Sequence, residues 1–152
     1  MKTQVGLARV DTLSLEEVQQ TPWFKSYFKE AKLVKSDSVF DRDQKQLQEY
    51  FAGDRSEFDL DLDERGTPFQ KEVWQALHAI PYGQTLTYGG LADKLGRSSK
   101  AAQAVGRALG QNPLLVVVPC HRILSQDGKL TGYRGGLALK KALLKVEGIN
   151  YI

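Results

Sequence analysis

The sequence predicts an α/β fold of the α+β kind, a small mixed N-terminal domain over residues 1–66 followed by a mostly helical domain over residues 67–152 that contains a helix-turn-helix. Three observations carry that reading. Charge changes sign along the chain: Met1 to Gly66 holds ten Lys and Arg against fourteen Asp and Glu, and Thr67 to Ile152 holds eleven against four, so a net −4 and a net +7 lie behind the overall +3. The acidic run Glu57 to Glu64 marks the junction, and its strict alternation reads as an extended edge or linker strand. Beyond it, helix start and stop signals follow closely on one another, whereas strand signals before it are weak.

With 152 residues, 41% hydrophobic and 26% charged, the chain has the make-up of one ordinary globular unit. No apolar run approaches the ~18 residues of a membrane span, and the N-terminus lacks a signal-peptide layout. The single cysteine rules out a disulfide scaffold and a cysteine-rich zinc site. Only His78 and His121 could add imidazole ligands, and they lie far apart, so no metal is expected. A free thiol stays reduced in the cytoplasm, which is the compartment expected here.

In chain order, Ser14-Leu15-Glu16-Glu17 forms a capping box, and Asp41 to Phe51 spaces Leu47, Tyr50 and Phe51 as a helix before Gly53. Thr67-Pro68-Phe69-Gln70 supplies an N-cap, a proline in the first turn and a capping-box Gln. The helix it opens carries Phe69, Val73, Trp74, Leu77 and Ile80 on one stripe. Pro81-Tyr82-Gly83-Gln84 is a turn. Thr87 caps a short helix through Lys94 that ends at Gly96, and Ser98 or Ser99 caps a second helix to about Gly110. That pair outlines the helix-turn-helix, with Lys100, Gln103 and Arg107 on the polar side of its second helix. Asn112-Pro113 stops it, and Leu114 to Val118 reads as a buried extended segment. The last helix, about Leu137 to Val146, turns Leu139, Leu143 and Val146 inward and Lys140, Lys141 and Lys145 outward before Glu147-Gly148.

Cys120 follows that apolar segment and precedes His121-Arg122. A thiol reacts as its thiolate, which an imidazole and a guanidinium nearby would favour. Sequence neighbours need not share a hydrogen bond, however, and a lone cysteine is also a good small core hydrophobe. From these residues alone, both readings stay open.

The wider context narrows them. Val116-Val117-Val118-Pro119-Cys120-His121-Arg122-Ile123 resembles the active-site signature of the O6-alkylguanine-DNA alkyltransferases. In the same order, Thr67 to Trp74, Ile80 to Gly83, Thr87 to Ala92, Ala104-Val105-Gly106, Asn112-Pro113, Gly132 to Gly136 and Leu143 to Gly148 resemble further motifs of that family. The resemblance runs almost unbroken from 67 to 149.

It implies irreversible transfer of an alkyl group from O6 of guanine in double-stranded DNA to Cys120, one event per molecule, with O4-alkylthymine a second candidate lesion. It implies no cofactor; a monomeric protein is expected, and the lack of any long apolar run argues against a membrane partner. By the same motifs, His121 is the base that deprotonates Cys120 through a water, and Glu147 orients and polarises that relay. Tyr88 donates to the guanine ring, and Asn112 braces the cysteine turn. Tyr133, Arg134 and Gly135 belong to the loop around the flipped base, and Arg97, Lys100, Gln103, Arg107 and Arg122 are placed on the DNA side. A base must leave the duplex for this chemistry, and in this family the second helix enters the minor groove.

Two departures stand out. The family commonly has arginine before Ala104-Val105-Gly106, where this chain has Gln103, and the turn Gly96 to Lys100 is one residue longer than usual. Met1 to Leu33 shows no clean version of the family's opening hairpin. Gln103 keeps alive a second reading, a non-enzymatic alkylation-damage sensor of the alkyltransferase-like kind, although those proteins replace the cysteine. A plain helix-turn-helix regulator is a third, disfavoured because the motifs run on to Glu147.

Overall fold

The computed structural model describes residues 1–152, apart from the side chain of Ser99. The first half opens with two short helices, α1 (Leu15–Gln20) and α2 (Pro22–Tyr27), followed by the longer α3 (Asp41–Ala52). Ser14 and Glu17 close the capping box on α1, each side chain accepting from the other's backbone N–H, at 3.2 and 2.8 Å. Helix α3 stops where Gly53 takes a left-handed φ of +84°, a conformation glycine adopts without penalty. Ala8, Val18, Phe24 and Phe28 form a small apolar cluster of their own.

The main core belongs to the second half. Helix α4 (Pro68–His78) starts at the Thr67/Gln70 capping box and buries Val73, Trp74 and Leu77, and the Trp74 indole N–H donates to the Ala108 carbonyl at 3.0 Å. Strand β1 (Leu86–Thr87) pairs in parallel with β2 (Ile123–Leu124), Leu86 opposite Ile123. Helices α5 (Tyr88–Lys94) and α6 (Ala102–Gly110) are the helix-turn-helix, the first capped by Thr87. Helix α7 (Leu137–Val146) closes the chain against α3 and ends at Gly148, φ +68°. The predicted α+β class, with a helical domain and very little sheet, is the class observed.

Four local expectations change. Residues 57–64 are extended, but they form only a one-residue bridge, Leu62 to Leu7, in which the Leu7 N–H donates to Asp61 O and the Asp63 N–H to Leu7 O. Phe58, Leu60 and Leu62 pack against the core, so the alternation reports a half-buried strap and not a ladder strand. The second helix of the pair begins as a 3-10 turn (Ser99–Ala101), and Ala101, with no side-chain cap, leads into α6. Ser98 Oγ accepts from the Lys100 N–H at 3.3 Å; a capping role for Ser99 falls outside the described residues.

Leu114 to Val118 is buried but is not extended. The Val118 N–H donates to Leu114 O at 3.0 Å, closing a turn that puts Val116 at φ +73°. A β-branched residue there is strained by about 1–3 kcal/mol, so neighbouring contacts must hold it. Lys140, read as outward, is 1% exposed: its ammonium donates to Ile123 O at 2.7 Å. That backbone carbonyl, at the strand end, satisfies a charge that the helix would otherwise have to turn to solvent. No described helix is long and apolar enough to cross a membrane.

Candidate active site

Asn112 organises the segment that delivers the cysteine. It sits just past α6, fully buried. Its Oδ1 accepts from the Leu114 N–H at 2.8 Å, while its amide N–H group faces Val118 O at 3.2 Å and Cys120 Sγ at 3.1 Å. One side chain therefore ties both ends of the 114–118 turn to the sulfur, and this is what holds Val116 in its strained conformation. The chain then enters a 3-10 turn, Cys120–Arg122, from which Cys120 faces the pocket while His121 and Arg122 both reach Glu147.

Cys120 lines a pocket of about 410 Å³ with Tyr88, Gly106, Leu109, Gly110, Gly132, Tyr133 and Arg134. A cavity of about 440 Å³ beside Trp23, Tyr27 and Gln111 does not reach the sulfur. The Tyr88 hydroxyl is 2.7 Å from Thr131 Oγ1, and its ring lies against Gly106 on α6, where an added Cβ would meet it at 3.6 Å. The pocket thus has one wall from each helix of the helix-turn-helix and another from the 132–134 loop.

Burial pushes the Cys120 thiol above its ordinary value; the Asn112 N–H, and then the charges of Arg134 and Lys140, oppose that. The resting group is a thiol that needs a base to become a nucleophile. The cations acting on it come from the 133–135 loop and α7, not from its sequence neighbours.

His121 and Arg122 instead converge on Glu147, whose side chain is fully buried. His121 Nε2 is 2.8 Å from Glu147 Oε1. A carboxylate can only accept, so Nε2 carries the proton and Nδ1 is the unprotonated nitrogen. Nδ1 is also buried, without a hydrogen-bond partner among the described residues. Burial holds the imidazole below its ordinary value although Glu147 pulls the other way, so the ring is neutral near pH 7. Burial works to raise the Glu147 carboxyl, but hydrogen bonds from His121, Arg122 and Tyr50 outweigh it and hold the group at about 2. The Gly83 N–H adds a further donor to Oε2 at 3.1 Å.

The remaining sequence candidates fall into three groups. Gln103 and Arg107 are exposed on α6, and Lys100 is exposed in the 3-10 turn before it; Arg97 is also outward, paired with Glu72 at 2.7 Å and stacked on Phe69. These four share the helix-turn-helix surface. Tyr133 and Arg134 line the pocket. Arg134 Nε donates to Asn112 O and Nη1 to Asp11 Oδ2, both at 2.7 Å, so it ties the asparagine brace to the N-terminal segment. Gly135 does not line the cavity. An added Cβ there would come within 2.8 Å of the Leu139 side chain and 2.9 Å of the Tyr133 ring, so a larger residue would push those side chains aside.

Arg122 turns inward and not towards DNA. Expected on the DNA side, it is 7% exposed, and its Nη1 donates to the Ile80 carbonyl while Nε and Nη2 hold Glu147. A buried carboxylate needs a cation, and this residue provides it.

Two residues at the site were missed. Lys140 lies on the buried face and not the outward one that the sequence predicts, and Lys140, Leu143, Leu144 and Glu147 have the i, i+3, i+4, i+7 spacing of one buried stripe. Its spacing in the sequence marks Tyr50 only as an apolar helix position. It is wholly buried, and its hydroxyl donates to Glu147 Oε1 at 2.5 Å. A buried tyrosine hydroxyl normally finds a partner, and that was the available signal.

The site defines a class of protein in which both helices of a helix-turn-helix wall a pocketed cysteine, with a buried histidine–glutamate pair following it in the fold. Residues 68–149 match the family model described as 6-O-methylguanine DNA methyltransferase, DNA binding domain. The chain is 56% identical over 102 residues to the methylated-DNA–protein-cysteine methyltransferase of Mycobacterium tuberculosis, covering 67% of this chain and 61% of that protein. It is 46% identical over 149 residues to the protein of that name from Methanosarcina barkeri, covering 95% and 86%. It also superposes on the crystal structure of Mycobacterium tuberculosis OGT in complex with DNA with a TM-score of 0.69 and 53% identity, covering 72% of this chain and 66% of that one. The chain thus spans about three fifths of the mycobacterial relative's length. It belongs to the 6-O-methylguanine DNA methyltransferase family.

Proposed function

We propose that the protein repairs double-stranded DNA by direct reversal, moving an alkyl group from O6 of guanine to Cys120 Sγ in a single irreversible event. The observation that carries this reading is the combination of a pocketed thiol with a neutral histidine whose Nε2 is fixed by Glu147 and whose Nδ1 is left basic. Attack at an sp³ carbon needs a strong, soft nucleophile, and the raised thiol does not supply one unaided.

His121 Nδ1 takes the thiol proton, through one water. The S–C bond then forms as the O6–C bond breaks, and the electron pair of that bond passes into the guanine ring. Tyr88, at the pocket wall, donates to the ring as its charge builds, and the proton held by His121 balances the guanine that leaves. The thioether has no good leaving group, so the protein is consumed and no cofactor takes part. Asn112 holds the sulfur in line, and its N–H stabilises the thiolate.

The reacting atom is unreachable inside a duplex, so the guanine is flipped into the 410 Å³ pocket between Tyr88 and Tyr133. Arg97, Lys100 and Arg107 supply phosphate attraction, and Gln103 fills the gap left by the base. O4-alkylthymine is a second candidate lesion. We place the protein in the cytoplasm, as a monomer.

Intact mass after incubation with duplex DNA carrying O6-methylguanine tests the reading. Wild type gains one methyl group, and Cys120→Ala gains none. Binding of that DNA without any mass change would instead make the protein a damage sensor.

A further inference from the structure

We propose that Tyr50 is a positioning residue for the alkyl-acceptor centre: its hydroxyl, delivered by α3 from the first half of the chain, anchors the Glu147 carboxylate and thereby sets the basicity of His121. The inference rests on the reading above, in which His121 is the base.

The geometry is specific. Glu147 Oε1 accepts from the Tyr50 hydroxyl at 2.5 Å and from His121 Nε2 at 2.8 Å, and the hydroxyl lies 3.3 Å from Nε2 itself. A phenol has one proton to give. The shorter contact commits it to the carboxylate, which leaves Nε2 to donate its own proton to the same oxygen. Burial, and then the hydrogen bond to Glu147, push the phenol above its ordinary value, so it remains a donor at every pH at which the protein would work. The ring cannot swing away, because Phe58 lies 5.2 Å from it and Tyr82 meets it edge-on at 6.0 Å.

Removing one donor concentrates charge on the carboxylate. Glu147 then holds the imidazolium more tightly, and His121 stays protonated to higher pH. The consequence is a shift in the acid limb of the transfer rate and not only a loss of stability. The other titratable or charged groups around the pair are Arg122 from the 3-10 turn, Tyr82 from the turn after α4, Lys140 from α7, and Cys120, Tyr133 and Arg134 on the pocket side. Tyr50→Phe alters none of these side chains, so a difference from wild type reports on the hydroxyl.

Tyr50→Phe keeps the ring and removes only the oxygen. Single-turnover methyl transfer from O6-methylguanine DNA, measured from pH 5 to 9, is expected to show an acid limb displaced upward by about one unit. Because wild-type His121 is held below 6.5, the rate near neutrality falls by at most about threefold, and the gap from wild type widens towards acid pH. Affinity for the DNA stays that of wild type. Incorporating a ring-fluorinated tyrosine at position 50, a stronger donor of the same shape, moves the limb the other way. If the Tyr50→Phe and fluorotyrosine limbs superimpose on wild type while only the melting temperature changes, Tyr50 is a core residue and the proposal is wrong. If wild type itself accepts no methyl group, the functional reading fails first, and the two failures are distinguishable.

Discussion

Arg122 grips Glu147 through both carboxylate oxygens, Nε to Oε2 and Nη2 to Oε1 each at 2.9 Å, with the two side chains 9% and 0% exposed. The pair joins the end of α7 to the cysteine turn, and the carbonyl of Ile80 binds the same guanidinium. A charge buried this deeply is costly unless matched.

Arg122→Met leaves Glu147 buried without its cation and is expected to lower stability by about 3–5 kcal/mol, read from the urea midpoint. In the fraction that folds, the salt dependence of DNA binding stays that of wild type. A slope of log affinity against log salt shallower by about 0.9 would mean that Arg122 reaches a phosphate after all.

The titrations of His121, Glu147 and Cys120 together contribute most to stability between about pH 6.5 and pH 9. His121 is held below its ordinary 6.5, so the unfolded chain binds a proton there that the folded chain refuses, and stability falls as pH drops below 6.5. Glu147, at about 2 when folded against 4.5 ordinarily, adds a second loss between those values, of the same sign. Cys120 is raised above 9.0, so the unfolded chain releases its proton first and stability falls above 9.0. Urea midpoints across this range, with Cys120→Ala flattening the stretch between pH 9 and 10, check all three signs.

The helices of the second half were legible because each carries its own punctuation. Thr67 with Gln70, Thr87, Gly96 and Gly148 are local signals, and local chemistry decides them. Leu114 to Val118 was not legible as a turn, because an apolar β-branched run has the composition of a strand. What bends it is the side chain of Asn112, a contact that spans up to eight residues. The directions of Arg122 and Lys140 failed for a similar reason. Both look like surface cations until a buried carboxylate or carbonyl from another element claims them. Tyr50 meets Glu147 across 97 positions, a contact that no spacing rule reaches.

Asn112→Ala tests the brace. It leaves the Leu114 N–H and the turn carbonyls without their partner, which costs about 1–3 kcal/mol. Val116 is then free to leave its φ of +73°. Methyl transfer should slow more than DNA binding weakens, as measured by single-turnover rate and equilibrium titration. Equal losses in both would argue against a role centred on the sulfur.

Gln103→Arg places a cation on the exposed face of α6. Binding should tighten, and the slope of log affinity against log salt should steepen by about 0.9, one phosphate's worth for duplex DNA. The acceptor residue does not change. Weaker binding at every salt concentration would show that Gln103 does not face the DNA.

The most direct test of the account follows the methyl group itself. Duplex DNA with a ¹³C-labelled O6-methylguanine is mixed with a deficit of protein, and the protein is then digested and mapped. The account predicts one label per protein molecule, carried on the sulfur of Cys120, with no further turnover however much DNA remains. Label on any other residue, repeated turnover, or bound DNA with its methyl group intact would contradict it.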